Sequence, residues 1–450
     1  MIQFEIFVFI VLAIFFFYKL NRTTSLKVDC WVIMFGFLLI EVYAIISLSI
    51  SGMVISETAF PLAIGTMASA VLGYHVNKNI LITFGNNNRR NVNTTTTKSK
   101  NVFHEQGLFV FFLIMIFIGT FRYQGLPPVI TSYSTLLRGG YSYEDAVKLT
   151  QDRKTISKAH YFGGSYRGQG LTKALQMSGW PLLCTTALVI YLRTKKRRDM
   201  FLFLFFLFFG IMYLSGDGTR LPPLILLITC VITYLQRREV SLVKASKYFL
   251  LLIMFLMFHS ALSVKQYKLF ADGITVSALL TSINSILDRM FLANAWCDML
   301  AINYIDNGLI PLQSGMLHLH QLLNALPGVS VKYPSFSYML GQVTEASSST
   351  SYYSTTYLGI AYADFGFIGA IIAYFIVGSF CGLFNSFLER RFNVSYNPID
   401  NAFYSCLSWG VGCIVISTFV GFLIGLGISF SLYFLFKFLV RIKISALRIT

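Results

Sequence analysis

Two histidines in Leu317-His318-Leu319-His320 are the side chains of this chain best suited to moving a proton near neutral pH. A spacing of two sends them to different faces of a helix, so they are not expected to pair as metal ligands, and one of them acting as a general base is the expected chemistry. A second candidate is the turn Ser215-Gly216-Asp217-Gly218-Thr219-Arg220, followed by Leu221-Pro222-Pro223. Its single arginine either receives a lipid-linked phosphate through a planar, permanently charged fork or snorkels to lipid head groups. Two acids stand in otherwise apolar runs, Glu41 and Asp364. A charge in hydrocarbon costs about 2.5–3.5 kcal/mol even on lenient scales, so each is expected to be a proton-coupling or catalytic carboxylate, or a neutral or hydrogen-bonded group facing another helix.

The elements that must position these groups are membrane helices. About eleven apolar runs, near residues 2–20, 31–50, 60–76, 107–121, 176–192, 201–214, 221–235, 248–262, 356–384, 402–418 and 421–436, mostly approach the ~20 residues that cross a hydrocarbon core. Spans this apolar must be helices, because lipid leaves no partner for an open backbone. The composition agrees: 55% of the 450 residues are apolar and only 12% charged, more apolar surface than a water-soluble chain could bury. If the first run enters from outside, the inner loops hold about two thirds of the Lys and Arg, and the short outer turns hold only Arg220. The net charge of +17 is therefore expected to orient the chain in a membrane rather than to bind nucleic acid.

The expected organisation is an all-α polytopic membrane protein: helices over 1–121, a large outer loop over 122–175, helices over 176–262, a second large outer loop over 263–355, and helices over 356–450. A twelfth span would fit near 271–305 or in the final segment. The first loop interleaves Arg122, Arg138, Arg153 and Arg167 with Tyr123, Tyr133, Tyr141, Tyr143, Tyr161, Phe162 and Tyr166, a mixture suited to an anionic, sugar-bearing ligand. In the second, apolar residues from Val276 to Phe291 recur at helical spacing around Ser282, Ser285, Asp288 and Arg289. Seven cysteines lie mostly in or beside spans, with Cys297 alone in an outer loop, so no disulfide framework is expected. No P-loop, dinucleotide-binding glycine pattern, zinc-spaced cysteine pair or internal repeat occurs, so neither a cofactor nor a metal is expected.

In layout and short motifs the chain resembles the bacterial O-antigen or oligosaccharide repeat-unit polymerases, the Wzy type. The resemblance is carried by Tyr166-Arg167-Gly168-Gln169-Gly170, by the turn from Ser215 to Arg220, by Tyr333-Pro334-Ser335 with Leu340-Gly341, and by Thr356-Tyr357-Leu358-Gly359 leading to Ala363-Asp364-Phe365-Gly366. Arg153 and Gly164 meet the family's Arg-x10-Gly pattern, whereas Arg289 is followed eleven residues later by Leu300. The resemblance implies a multi-pass protein of the bacterial inner membrane with its active site facing the periplasm. It implies transfer of a growing glycan from one undecaprenyl pyrophosphate carrier to a new lipid-linked repeat unit. Its partners would then be that lipid-linked oligosaccharide, membrane lipids and a chain-length regulator, and no nucleic acid. Arg220, Arg289, Arg153 and Arg167, with Gly164 and Tyr166, would hold pyrophosphate and glycan, and His320, Glu345 or Asp364 would deprotonate the acceptor hydroxyl. An O-antigen ligase acting on lipid A core, or a lipid-linked oligosaccharide flippase, remain the alternatives.

Overall fold

The computed structural model describes residues 28–52, 56–88, 105–123, 125–138, 169–216, 221–238, 292–325, 335–344, 355–393, 395–416 and 419–441, with short pieces of the remainder. Among the described residues every regular element is a helix. They are α1 (Cys30–Ile50), α2 (Ala59–Asn88), α3 (Gln106–Tyr123), α4 (Pro128–Leu137), α5 (Gln169–Thr194), α6 (Arg197–Leu214), α7 (Leu221–Arg237), α8 (Ala293–Asp306), α9 (Met316–Ala325), α10 (Phe336–Thr344), α11 (Tyr357–Leu388), α12 (Pro398–Gly412) and α13 (Phe419–Arg441). Among the described residues six segments are long and apolar enough to cross a membrane: Cys30–Ile50, Ala59–Asn77, Gln106–Tyr123, Leu171–Thr194, Tyr357–Asn393 and Gly421–Arg441. The chain is thus an all-α membrane protein. Of the other expected runs, 201–214, 221–235 and 402–418 fall on α6, α7 and α12, while 248–262 and most of 2–20 lie outside the described residues.

The chain forms two compact units. The first comprises Met1–Thr94, Ile286–Arg390 and Ser408–Ile424. Its axis is the parallel pair α2 and α11, which touch backbone to backbone because glycines face the contact. A Cβ on Gly73 would stand 2.3 Å from the Phe375 carbonyl oxygen, one on Gly378 2.0 Å from that of Ala70, and one on Gly382 2.4 Å from that of Tyr74. Lipid supplies no hydrophobic drive for helix association, so such small-residue seams, here including Gly378-x3-Gly382, carry it through close packing. Polar cross-ties follow the seam: Ser69 Oγ donates to the Ile371 carbonyl at 2.7 Å, and Asn385 Nδ2 donates to the Tyr74 hydroxyl at 2.9 Å.

The run expected as one span over 356–384 is not straight. A continuous 32-residue helix would rise about 48 Å, well beyond a core of about 30 Å. The chain breaks at Gly366, whose φ of 67° and ψ of −167° lie in a region that a side chain disfavours. Across the break the rings of Tyr357 and Tyr374 come within 5.3 Å of each other, although about 25 Å would separate these positions on a straight helix. Residues 357–365 therefore double back along 367–388 as a half-helix. The second large loop is also structured: α8, α9 and α10 bury Cys297, Leu300, Ala301, Leu317, Phe336 and Leu340 against Ile360 and Ala363 of the half-helix. The amphipathic stretch expected over 276–291 lies largely outside the described residues.

The second unit comprises Thr95–Ser285, Arg391–Leu407 and Gly425–Thr450. It is organised around α5, where fully buried Trp180 stacks on Tyr213 of α6 at 5.8 Å and meets Phe112 of α3 edge to face at 5.9 Å. Phe111 stacks on Phe436 at 4.2 Å, and Lys437 donates to Asp400 at 2.9 Å and to the Tyr433 hydroxyl at 2.6 Å. Arg122, expected at the start of the first outer loop, is instead buried in the last turn of α3, where Nη1 donates to Gln176 Oε1 at 3.1 Å.

The glycine seam yields a stability prediction. Gly378→Val must push α2 away from α11 and is expected to destabilise the first unit by about 1–3 kcal/mol or more. Gly425→Ala, at a position with nothing within 4 Å, is the expected neutral control. Melting of the purified variants in detergent checks both, and equal melting temperatures would refute the seam.

Candidate functional site

The half-helix at residues 357–365 is held at each end by a carboxylate, and the candidate site lies at its Asp364 end. α9 begins after a turn that uses two left-handed residues, Ser314 (φ 51°) and Gly315 (φ 84°). Its first amides would otherwise lack acceptors, since the opening turn of any helix has none within itself. Asp364 supplies them: Oδ1 accepts the Leu317 amide and Oδ2 the His318 amide, each at 3.0 Å. A carboxylate is the natural group here because its charge meets the positive end of the helix dipole. Asp364 is itself buried, and the break at Gly366 frees the Ala363 carbonyl to accept the Gln313 amide at 2.8 Å. The glycine that bends the span thus also aligns the segment preceding α9.

Asp364 Oδ2 also pairs with His318 Nδ1. An ionised carboxylate only accepts, so in the neutral ring the proton sits on Nδ1 and Nε2 carries the lone pair. Nε2 is buried and has no hydrogen-bond partner among the described residues. Phe365 and Tyr357 flank the imidazole, with ring centroids 5.2 Å and 5.6 Å away. An imidazole oriented through one nitrogen, with the other unpartnered beside two aromatic rings, can take a proton from a hydroxyl delivered to it.

At the other end of the half-helix stands a cluster that joins three elements. Thr356 caps the helix through its hydroxyl, which accepts the Leu358 amide at 3.1 Å. The same hydroxyl oxygen lies 2.7 Å from Glu41 Oε1 of α1 and 2.8 Å from Asp298 Oδ2 of α8. Asp298 Oδ1 accepts the amides of Thr356 at 2.9 Å and Gly359 at 3.2 Å. Burial pushes the Asp298 carboxyl up from its ordinary range, opposed by its hydrogen bonds from Thr356 and Gly359.

Of the residues singled out in the sequence, the structure brings Asp364 and a histidine of the pair together, and that histidine is His318. His320 is buried two positions along α9, on another face, as the spacing requires. Glu41 faces another helix, one of the two uses expected of it. Glu345, Arg153, Gly164, Tyr166, Arg167, Arg220 and Arg289 lie outside the described residues. In the turn before Arg220, Gly216 is where the Tyr123 ring passes, since a Cβ there would sit 2.4 Å from the Tyr123 Cζ. Asp298 was missed. Its signal was an acid inside the apolar run Cys297-Asp298-Met299-Leu300, within the stretch 271–305 where a twelfth span would fit. No group of three His, Cys, Asp or Glu side chains suited to a metal occurs among the described residues. No known protein family, curated protein or solved structure matches this chain.

The double duty of Asp364 separates its variants. Asp364→Ala strips the acceptor from a buried amide, a part-buried amide and a ring nitrogen, so it is expected to cost roughly 2 kcal/mol or more, whereas His318→Ala leaves the cap intact and is expected to cost clearly less. Thermal unfolding of both variants decides this, and an equal or reversed order would refute the capping role.

Proposed function

We propose that this chain is a membrane-embedded glycosyltransferase that polymerises lipid-linked oligosaccharide repeat units at the periplasmic face of a bacterial inner membrane. The observation that carries the proposal is the His318–Asp364 pair, with Nε2 left without a hydrogen-bond partner among the described residues beside the break in α11. In this reading His318 Nε2 takes the proton from the acceptor sugar hydroxyl while Asp364 holds the ring and stabilises the cation that forms. The new glycosidic bond forms as the bond to the lipid pyrophosphate breaks, so the leaving group supplies the driving force. Arg220, with Arg289, Arg153 and Arg167, is assigned to neutralising that pyrophosphate, because fixed cations at a departing phosphate act where charge develops. The resemblance to the Wzy type supports the substrate class. The ligase reading shares this chemistry and differs in its acceptor, a lipid A core.

One observation favours a second reading from another class. A half-helix whose amino end meets two carboxylates against a spanning helix is the kind of discontinuity that transporters place at their binding sites. A lipid-linked oligosaccharide flippase would use it to couple glycan movement to protons.

The lipopolysaccharide pattern of a deletion strain separates the readings. A single repeat unit on core is expected for the polymerase, bare core with accumulated polymer marks a ligase, and bare core without periplasmic glycan marks a flippase. His318→Ala is expected to lower polymerisation by about 10²–10⁴-fold in a folded protein, the usual worth of a positioned acid or base. A full-length glycan ladder from His318→Ala at normal expression would remove the dyad from the reaction.

The energy source gives a separate prediction. Purified protein supplied only with lipid-linked repeat units is expected to make polymer in the presence of a chelator and without ATP or a nucleotide sugar. Activity that vanishes with chelator and returns with a divalent cation would overturn the arginine-based assignment.

A further inference from the structure

In the Glu41, Thr356 and Asp298 cluster one hydroxyl proton faces two carboxylates. The Thr356 hydroxyl has a single hydrogen and already accepts the Leu358 amide at 3.1 Å. Both Glu41 Oε1 and Asp298 Oδ2 lie within hydrogen-bond distance of its oxygen, at 2.7 and 2.8 Å. The hydroxyl can make a linear hydrogen bond to only one of them, so two linear bonds require the other carboxyl to donate to the hydroxyl as an acid. If both were ionised, one short contact between buried oxygens would hold no proton, at a direct electrostatic cost.

The backbone identifies which acid keeps the proton. Asp298 Oδ1 accepts amides from Thr356 and Gly359 at the positive end of the half-helix, both of which favour the anion. Glu41 has the Thr356 hydroxyl as its hydrogen-bond partner and sits midway along an apolar spanning helix, where an anion is costly. Among the described residues the hydrogen bonds to these two carboxylates come from the Thr356 hydroxyl and the amides of Thr356 and Gly359, not from a lysine, arginine or histidine. Among the described residues the other titratable groups in electrostatic reach are Tyr374 of α11, beside both carboxylates, and Cys297 of α8, beside Asp298. None of them supplies a positive charge.

We propose that Glu41 and Asp298 hold one proton between them, carried by Glu41 and relayed through the Thr356 hydroxyl, and that this proton latches the buried end of residues 357–365 to α1. The relay runs from Glu41 O–H to Thr356 Oγ1 and from Thr356 O–H to Asp298 Oδ2, leaving one net negative charge at the helix end. Removing the proton sets two anions against one hydroxyl and opens the contact. The half-helix ends at Asp364, so release at one end loosens the support of His318 at the other. The latch stands on these contacts alone and does not rest on the transferase reading.

The sign of its pH dependence follows. The folded state holds a proton that the unfolded chain releases at the ordinary carboxylate range near pH 4, so this stabilisation is full below that range and is lost as pH rises above it. Glu41→Gln puts an amide where the acid stood; its N–H donates to Thr356 Oγ1 as the acid did, and it cannot ionise. The test is infrared spectroscopy of the purified full-length protein in nanodiscs at neutral pH, with melting curves across the range from about pH 5 to about pH 9. Expected is the carbonyl stretch of a protonated buried carboxylic acid, shifted by ¹³C-glutamate labelling and absent from Glu41→Gln. Wild-type melting temperature should fall with rising pH and that of Glu41→Gln should fall measurably less. Glu41 is the one buried glutamate among the described residues, so the isotope experiment, which needs no variant, reads the latch even if Glu41→Gln does not fold. Absence of the stretch, a stretch unmoved by glutamate labelling, or equal pH dependence in both proteins would overturn the latch.

Discussion

A helix that ends inside a membrane protein must have its end groups satisfied by its own neighbours, because lipid offers none. The break at Gly366 creates that demand, and much of the first unit can be understood as its solution. The freed Ala363 carbonyl takes the Gln313 amide, Thr356 caps the amino end of the half-helix, and Asp298 receives the amides of Thr356 and Gly359. Asp364 then serves α9 in the same way. Three polar side chains thereby fix the half-helix and α9, elements that a hydropathy profile divides between a span and a loop.

The same residues that satisfy backbone also hold the groups that could do chemistry. Asp364 spends one oxygen on Leu317 and the other on His318, whose amide and imidazole both meet it. A carboxylate anchored by two amides cannot swing away, so the imidazole it orients is held by the fold rather than by a flexible side chain. Rigid placement of a general base costs nothing extra here, since the cap is required for α9 in any case. The seam between α2 and α11 has a comparable role at longer range. Its glycines bring backbones into contact and leave residues 367–388 a fixed rod against which the half-helix folds back.

The two units meet their polar demands differently. In the first, acids pair with amides, a hydroxyl and a histidine. In the second, Asp400 engages Lys437 and Tyr433 directly, and Arg122 donates to Gln176 beneath a dense aromatic layer around Trp180. In an ion pair of the Asp400 kind, desolvation offsets much of the attraction.

The all-α membrane class was legible in the residues alone, since apolar runs long enough to span lipid satisfy their backbones as helices. The sequence also marked Glu41 and Asp364 as acids needing a partner, and showed that His318 and His320 must diverge. It did not disclose the hairpin, because hydropathy summed over 356–384 is the same whether the helix continues or reverses, and one glycine with a positive φ leaves no periodic trace. Nor did it choose between the histidines: helical spacing separates their faces, but which face meets Asp364 depends on how α9 docks. Asp298 stayed hidden for a related reason. Its significance lies in contacts with residues 58 positions onward in the chain, and such proximity is created only when the half-helix folds back into the bundle.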